Sequence, residues 1–142
     1  MLVQKIKNHV RDGILKLRHW VLVKVYHMDI SPSAMISLGA NLDTANPRGV
    51  HIGDETYVAS GASIMTHDGC RLLHADTHIG RRCFIGAGSR VLPGVTLGDH
   101  TIVGADAVVT RSYPIGGVIL AGNPARVIRE HVRTNKYGVI IK

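Results

Sequence analysis

An aliphatic residue recurs every sixth position through much of the chain. In the stretch IGRRCFIGAGSRVLPGVTLGDHTIVGADAV the anchors are Ile79, Ile85, Val91, Leu97 and Val103. The same spacing appears earlier at Ile52, Val58 and Ile64, and a first pair begins at Ile30 and Ile36. Four places after each anchor stands a small or β-branched residue: Ala34, Ala40, Thr56, Ala62, Cys83, Ser89, Val95, Thr101 and Ala107. Only Asp68 breaks that rule, where a loop begins. A helix repeats near 3.6 and an alternating strand repeats every two, so neither explains a period of six. A coil of short strands does. The anchor points inward, the small residue fills the narrow interior beside it, and Gly at the second place suits a tight bend. Three hexads make a triangular turn of about 18 residues, so the chain predicts four to five stacked coils. A β-sandwich would instead show alternating strands with turns every 8–12 residues.

Two interruptions break the period. Leu42 to Ile52 is four positions too long, with Asn46-Pro47-Arg48-Gly49 as turn chemistry, and Ile64 to Ile79 is nine too long. Loops thrown out from a repetitive scaffold are where function concentrates, so residues 42–51 and 66–78 are the candidate site loops.

The ends carry other periods. Over residues 2–26, Leu2, Ile6, Val10, Ile14, Leu17, Val21 and Val25 fall at helical spacing. Residues 125–133, beyond Pro124, suggest a short basic helix, and 137–141 a last strand. The expected organisation is therefore an N-terminal amphipathic helix (1–27), a coil body (28–124) and a C-terminal cap (125–142).

Charge sharpens this picture. The formal net charge is +7, and within 1–27 Lys5, Lys7, Arg11, Lys16, Arg18 and Lys24 stand against Asp12 alone. The basic helix either covers the first coil or meets an anionic membrane surface. It is too interrupted by charge to span a bilayer. Nucleic acid is not the expected partner, because the basic segment lacks interleaved stacking aromatics. Two cysteines make no disulfide framework and no signal peptide is recognisable, which points to a reducing cytoplasm.

Three stretches resemble the hexapeptide-repeat O-acetyltransferases, in particular the maltose, galactoside and nodulation acetyltransferases. They are SIMTHD at 63–68, VLPGVTLGD at 91–99 and VVTRSYPIGGVILAGNPARVI at 108–128, and AGNPAR is not demanded by the coil. The resemblance implies a mainly β fold, a left-handed parallel β-helix, with acetyl-CoA as donor, a sugar or saccharide hydroxyl as acceptor and a homotrimeric assembly. His67 matches the catalytic base, since an imidazole titrates near neutrality and can shuttle a proton. Asp68, beside it, is the candidate to orient the ring. Asn41 and Asp43 match acceptor-binding positions. Phe84, Ala87 and Ala105 match the pantetheine groove, and Thr110, Arg111 and Arg126 its nucleotide end, where arginines suit phosphates.

Rival readings remain at this level. Cys70 lies three residues after His67, Cys83 fills an inward slot, and His67, His74 and His78 offer a metal alternative without HExxH or a cysteine cluster. A scaffold protein or a carbonic-anhydrase-like enzyme is the alternative function; for the leading one no metal is expected.

Overall fold

The computed structural model describes residues 1–142. From Asp29 the chain winds through short strands that stack into three parallel sheets, the faces of a triangular prism. The first face holds Asp29–Ile30, Val50–Ile52, Thr77–Ile79 and Thr96–Leu97. The second holds Met35–Ile36, Tyr57–Val58, Phe84–Ile85, Ile102–Val103 and Ile119–Ala121. The third holds Asn41–Leu42, Ser63–Ile64, Arg90–Val91 and Val108–Val109.

Register reads the two insertions directly. On the third face Arg90 pairs with Val108, a step of 18 positions. The steps from Asn41 to Ser63 and from Ser63 to Arg90 are longer by four and by nine. Both insertions leave and rejoin at corners, so every anchor still lands above its predecessor.

All the hexad anchors are buried, as are all nine small partner positions. Burying each Val or Ile side chain contributes about 1.5–3 kcal/mol, before cavity effects. The polar partners remain satisfied: Thr56, Ser89 and Thr101 donate their hydroxyls to the carbonyls of Gly80, Gly86 and Gly98 at 2.7, 2.6 and 2.7 Å.

The bend is made elsewhere than expected. Three places past most anchors, residues including Glu55, Arg82, Gly88, His100 and Asp106 take positive φ and turn the corner. The second-place glycines serve close stacking instead. A Cβ on Gly86 would lie 2.5 Å from the Val103 carbonyl oxygen, and one on Gly80 2.7 Å from the Asp99 nitrogen.

Helix α1 runs over Leu2–Trp20, continuing as a π-helical turn over Val21–Val25. It meets the coil only near its end, through Leu15, Arg18, His19 and the buried Leu22. The Arg18 guanidinium donates to the carbonyls of Ser37 and Ala40, closing the corner of the first coil. No helix is long and apolar enough to cross a membrane.

The C-terminal expectation is corrected. Within 125–133 there is no helix: Arg126–Arg129 is a strand, antiparallel to Ile119–Ala121. The last strand of the second face would otherwise present an open edge, and β-branched Val127 and Ile128 suit a strand that pairs with it. Residues 137–141 are not a strand either. Lys136–Gly138 is a 3₁₀ turn whose Tyr137 N–H donates to the Glu55 carbonyl, and only Thr134 and Ile140 form a bridge.

Candidate active site

The nine-residue insertion begins where the third face turns toward the first. Met65 and Thr66 follow the anchor Ile64, and Thr66 fills the corner completely buried. Its carbonyl accepts the N–H of Ala75, so the loop leaves and returns through one point. Between them His67–Asp68 and Leu73–His74 form a small antiparallel hairpin.

The coil below supplies the other half. Leu42 stacks under Ile64, which sets Asp43 directly beneath Met65, its carboxylate aimed at the corner. Asp43 Oδ2 accepts the N–H groups of Thr66 at 2.8 Å and His67 at 3.0 Å. The same oxygen lies 2.5 Å from His67 Nδ1, while Oδ1 accepts the Ala45 N–H at 3.0 Å. Burial opposes a charge there, since the Asp43 side chain is only 7% exposed. The hydrogen bonds from Thr66, His67 and Ala45 outweigh that penalty and hold its carboxyl below the usual range. A carboxylate is acceptor-only, so Nδ1 carries the proton and Nε2 is left as the free basic nitrogen. With 42% of its side chain exposed, His67 offers that nitrogen to solvent.

The four-residue insertion braces this arrangement. Asn46 donates its side-chain amide to the Thr66 carbonyl at 3.1 Å, and the Thr66 hydroxyl donates to the Asn46 carbonyl at 2.8 Å. The departure from regular spacing thus locks the corner that carries His67.

Asp68 does not orient His67. Successive residues of a strand point to opposite sides, and Asp68 turns to the hairpin tip. There it accepts the N–H of Cys70 at 2.9 Å and pairs with Arg71 Nε at 2.6 Å. The Arg71 side chain and N–H keep its carboxyl below the ordinary value. Asn41, expected beside the acceptor, is exposed on the third face, whereas the Asp43 carboxylate is committed to the histidine.

The positions matched to the donor fall on two edges. Ala87 and Ala105 are exposed and stack on consecutive coils between the second and third faces, with the Asp106 N–H donating to the Ala87 carbonyl. Phe84 lies on the second face against Tyr57, ring centroids 5.4 Å apart, with Tyr137 beyond. Thr110 and Arg111 lie past Val108–Val109, two coils along the same corner as His67. Arg111 Nε donates to the Tyr113 hydroxyl, which donates to the Ala125 carbonyl beside Arg126. Nothing in the hexad pattern marks Tyr113, yet it ties the two arginines together.

Cys83 is fully buried and burial pushes its thiol up to about 12, so it is no nucleophile; Cys70 is exposed on the hairpin. The histidines named for a metal do not converge. His67 and His74 meet edge-on with centroids 6.4 Å apart. His78 belongs to another group on the first face, where its ring stacks 4.2 Å from that of His51. His51 bridges Asp29 at 2.9 Å and Asp76 at 3.1 Å. Ligand atoms of His51, Asp76 and His78, one from each, lie within 4.8 Å of one another there, on a face separate from His67.

Comparison with known proteins agrees with this architecture. The profile of the bacterial transferase hexapeptide (six repeats) matches residues 76–111. The putative colanic acid biosynthesis acetyltransferase WcaF of Escherichia coli K12 is 39% identical over 92 residues, covering 58% of this chain and 45% of that protein. The chain therefore spans less than half the length of that relative. A maltose O-acetyltransferase from Clostridium difficile 630 superposes with a TM-score of 0.62 at 23% identity, over 80% of this chain and 74% of that one. A Vibrio cholerae hexapeptide-repeat acetyltransferase, complexed with acetyl coenzyme A, superposes with a TM-score of 0.58 at 17% identity over 85% of both chains. Repeat, register and superposition together show the fold, the left-handed parallel β-helix of hexapeptide-repeat proteins.

Proposed function

We propose that the protein transfers an acetyl group from acetyl-CoA to a hydroxyl of a sugar or saccharide. The observation that carries this reading is the His67–Asp43 pair, set at the point where the coil opens. Asp43 holds Nδ1–H, and His67 Nε2 removes the proton from the acceptor hydroxyl. The freed oxygen attacks the thioester carbonyl carbon, the carbon–sulfur bond breaks, and the imidazolium returns its proton to the departing CoA thiolate. With His67 as base the reaction needs no metal ion. Among the similar proteins, one is complexed with acetyl coenzyme A and another is a maltose O-acetyltransferase, which supports this donor and acceptor class.

Phe84, Ala87 and Ala105 would receive the pantetheine, and Thr110, Arg111 and Arg126 the nucleotide end, while Asn41 faces the acceptor. In one protomer the alanine edge and the His67 corner lie on different edges of the prism. A donor groove shared between neighbours in a homotrimer joins them, with residues 28–124 as the catalytic body flanked by 1–27 and 125–142. The chain works in the cytoplasm, where acetyl-CoA is available.

The test is acceptor-dependent release of CoA thiol from acetyl-CoA over a panel of sugars, saccharides and amines. Release with hydroxyl acceptors, and its loss in His67→Ala, supports the reading. No acceptor-dependent release, together with no rise in Tm on adding acetyl-CoA, overturns it.

A further inference from the structure

We propose that α1 docks the protein on an anionic phospholipid bilayer, with its apolar stripe lying in the membrane interface. The helix has two distinct faces. Leu15, Arg18 and His19, with Leu22 beyond, lie at spacings of three and four and are the positions turned to the coil; Arg18 fixes that orientation through the carbonyls of Ser37 and Ala40. Every residue before Leu15 is exposed. At about 100° per residue, Ile6, Val10, Ile14 and Leu17 form a second stripe on the side away from that contact. They are 54%, 57%, 47% and 63% exposed, and Trp20 at its margin is 55% exposed. Capping the coil therefore uses one face and leaves the larger apolar face uncovered.

Charge decides what covers it. Lys7 and Arg11 border the stripe on one side, and His9, Lys16 and Lys5 follow Trp20 on the other. The helix has one acidic residue, Asp12, on the side turned from the stripe. A second copy of the helix laid on this stripe would set lysine and arginine against lysine and arginine. An anionic lipid surface accepts the apolar stripe and neutralises both borders together. A helix of 19 residues with this charge lies along the interface and does not span it. This inference stands independently of the reaction proposed above.

Trp20 is the single tryptophan, so the intact protein reports its own docking. The experiment mixes the full chain with vesicles of phosphatidylcholine alone or phosphatidylcholine with 30% phosphatidylglycerol, reading co-sedimentation and Trp emission. The expected result is binding and a blue shift with the anionic vesicles only. Affinity should fall by about tenfold or more as salt rises from low to physiological strength. Val10→Asp with Leu17→Asp should abolish both signals, at exposed positions where Tm and circular dichroism stay unchanged. Three outcomes overturn the proposal: no binding to anionic vesicles at low salt, binding indifferent to those substitutions, or lipid-free self-association that they abolish. The last would make the stripe a contact between copies.

Discussion

Replacing Asp43 by Asn tests the reaction where its geometry is most constrained. The Oδ2 atom accepts from two backbone N–H groups as well as from His67 Nδ1, so in Asp43→Asn the carboxamide oxygen takes that place. The imidazole keeps its tautomer and orientation and loses only the negative charge that steadies its protonated form. Two unit charges about 4 Å apart attract by about 4 kcal/mol at an effective dielectric near 20. His67 is 42% exposed, so water screens roughly half of that, leaving about 2 kcal/mol in the transition state. At about 1.4 kcal/mol per decade, kcat should fall about 30-fold with the KM for acetyl-CoA unchanged. The amide –NH₂ then faces the Ala45 N–H, a donor against a donor, which should lower Tm by a few degrees. The assay is CoA release under saturating acetyl-CoA, with Tm measured alongside. A kcat within about twofold of wild type would refute the pairing as a source of catalysis.

Other outcomes follow from the same corner. His67→Ala should cost about 10²–10⁴-fold in turnover while acetyl-CoA still raises Tm; Asp68→Asn, which disturbs only the hairpin tip, should stay within about threefold. Iodoacetamide at pH 8 should label the folded protein once, at Cys70, with Cys83 reacting only after denaturation; mass spectrometry of the peptides decides it. Because the folded-state pKa of Asp43 is depressed, its contribution to stability is fully present above about pH 4 and is lost as pH falls through the lower folded value. The stability gap between wild type and Asp43→Asn, read by urea unfolding, should therefore narrow as pH falls below about 4; a gap that stays constant down to pH 3 would contradict it.

The coil was legible because its constraint is local and repeated. Ile79, Ile85 and Val91 must each point inward, and Cys83, Ser89 and Val95 must each fit beside the next anchor, so the period survives in plain sequence. Even the two insertions could be sized from the gaps at Leu42–Ile52 and Ile64–Ile79. Sequence adjacency favours Asp68 as the partner of His67, but a strand separates consecutive side chains. The signal that finds Asp43 is the anchor register. Leu42 and Ile64 occupy the same place in consecutive coils, so the residues just after each must lie close. The second-place glycines misled similarly: their cause, the backbone of the next coil, is invisible in a six-residue window. Residues 125–133 look helical when read alone, but become a strand because the sheet beside them has an edge to close.

The way both insertions rejoin the register has an evolutionary consequence. Each coil is held by the coil beneath it, so the length of a corner excursion leaves no trace in the stacking that follows. Residues 68–74 can then be lengthened, shortened or exchanged without renegotiating the interior, provided that Thr66 and Ala75 still close the neck. The shape of this loop and the foldability of the coil become nearly separate traits in such a protein. The surroundings of His67 can be remodelled by loop replacement alone, while its imidazole stays anchored through Asp43 in the coil below.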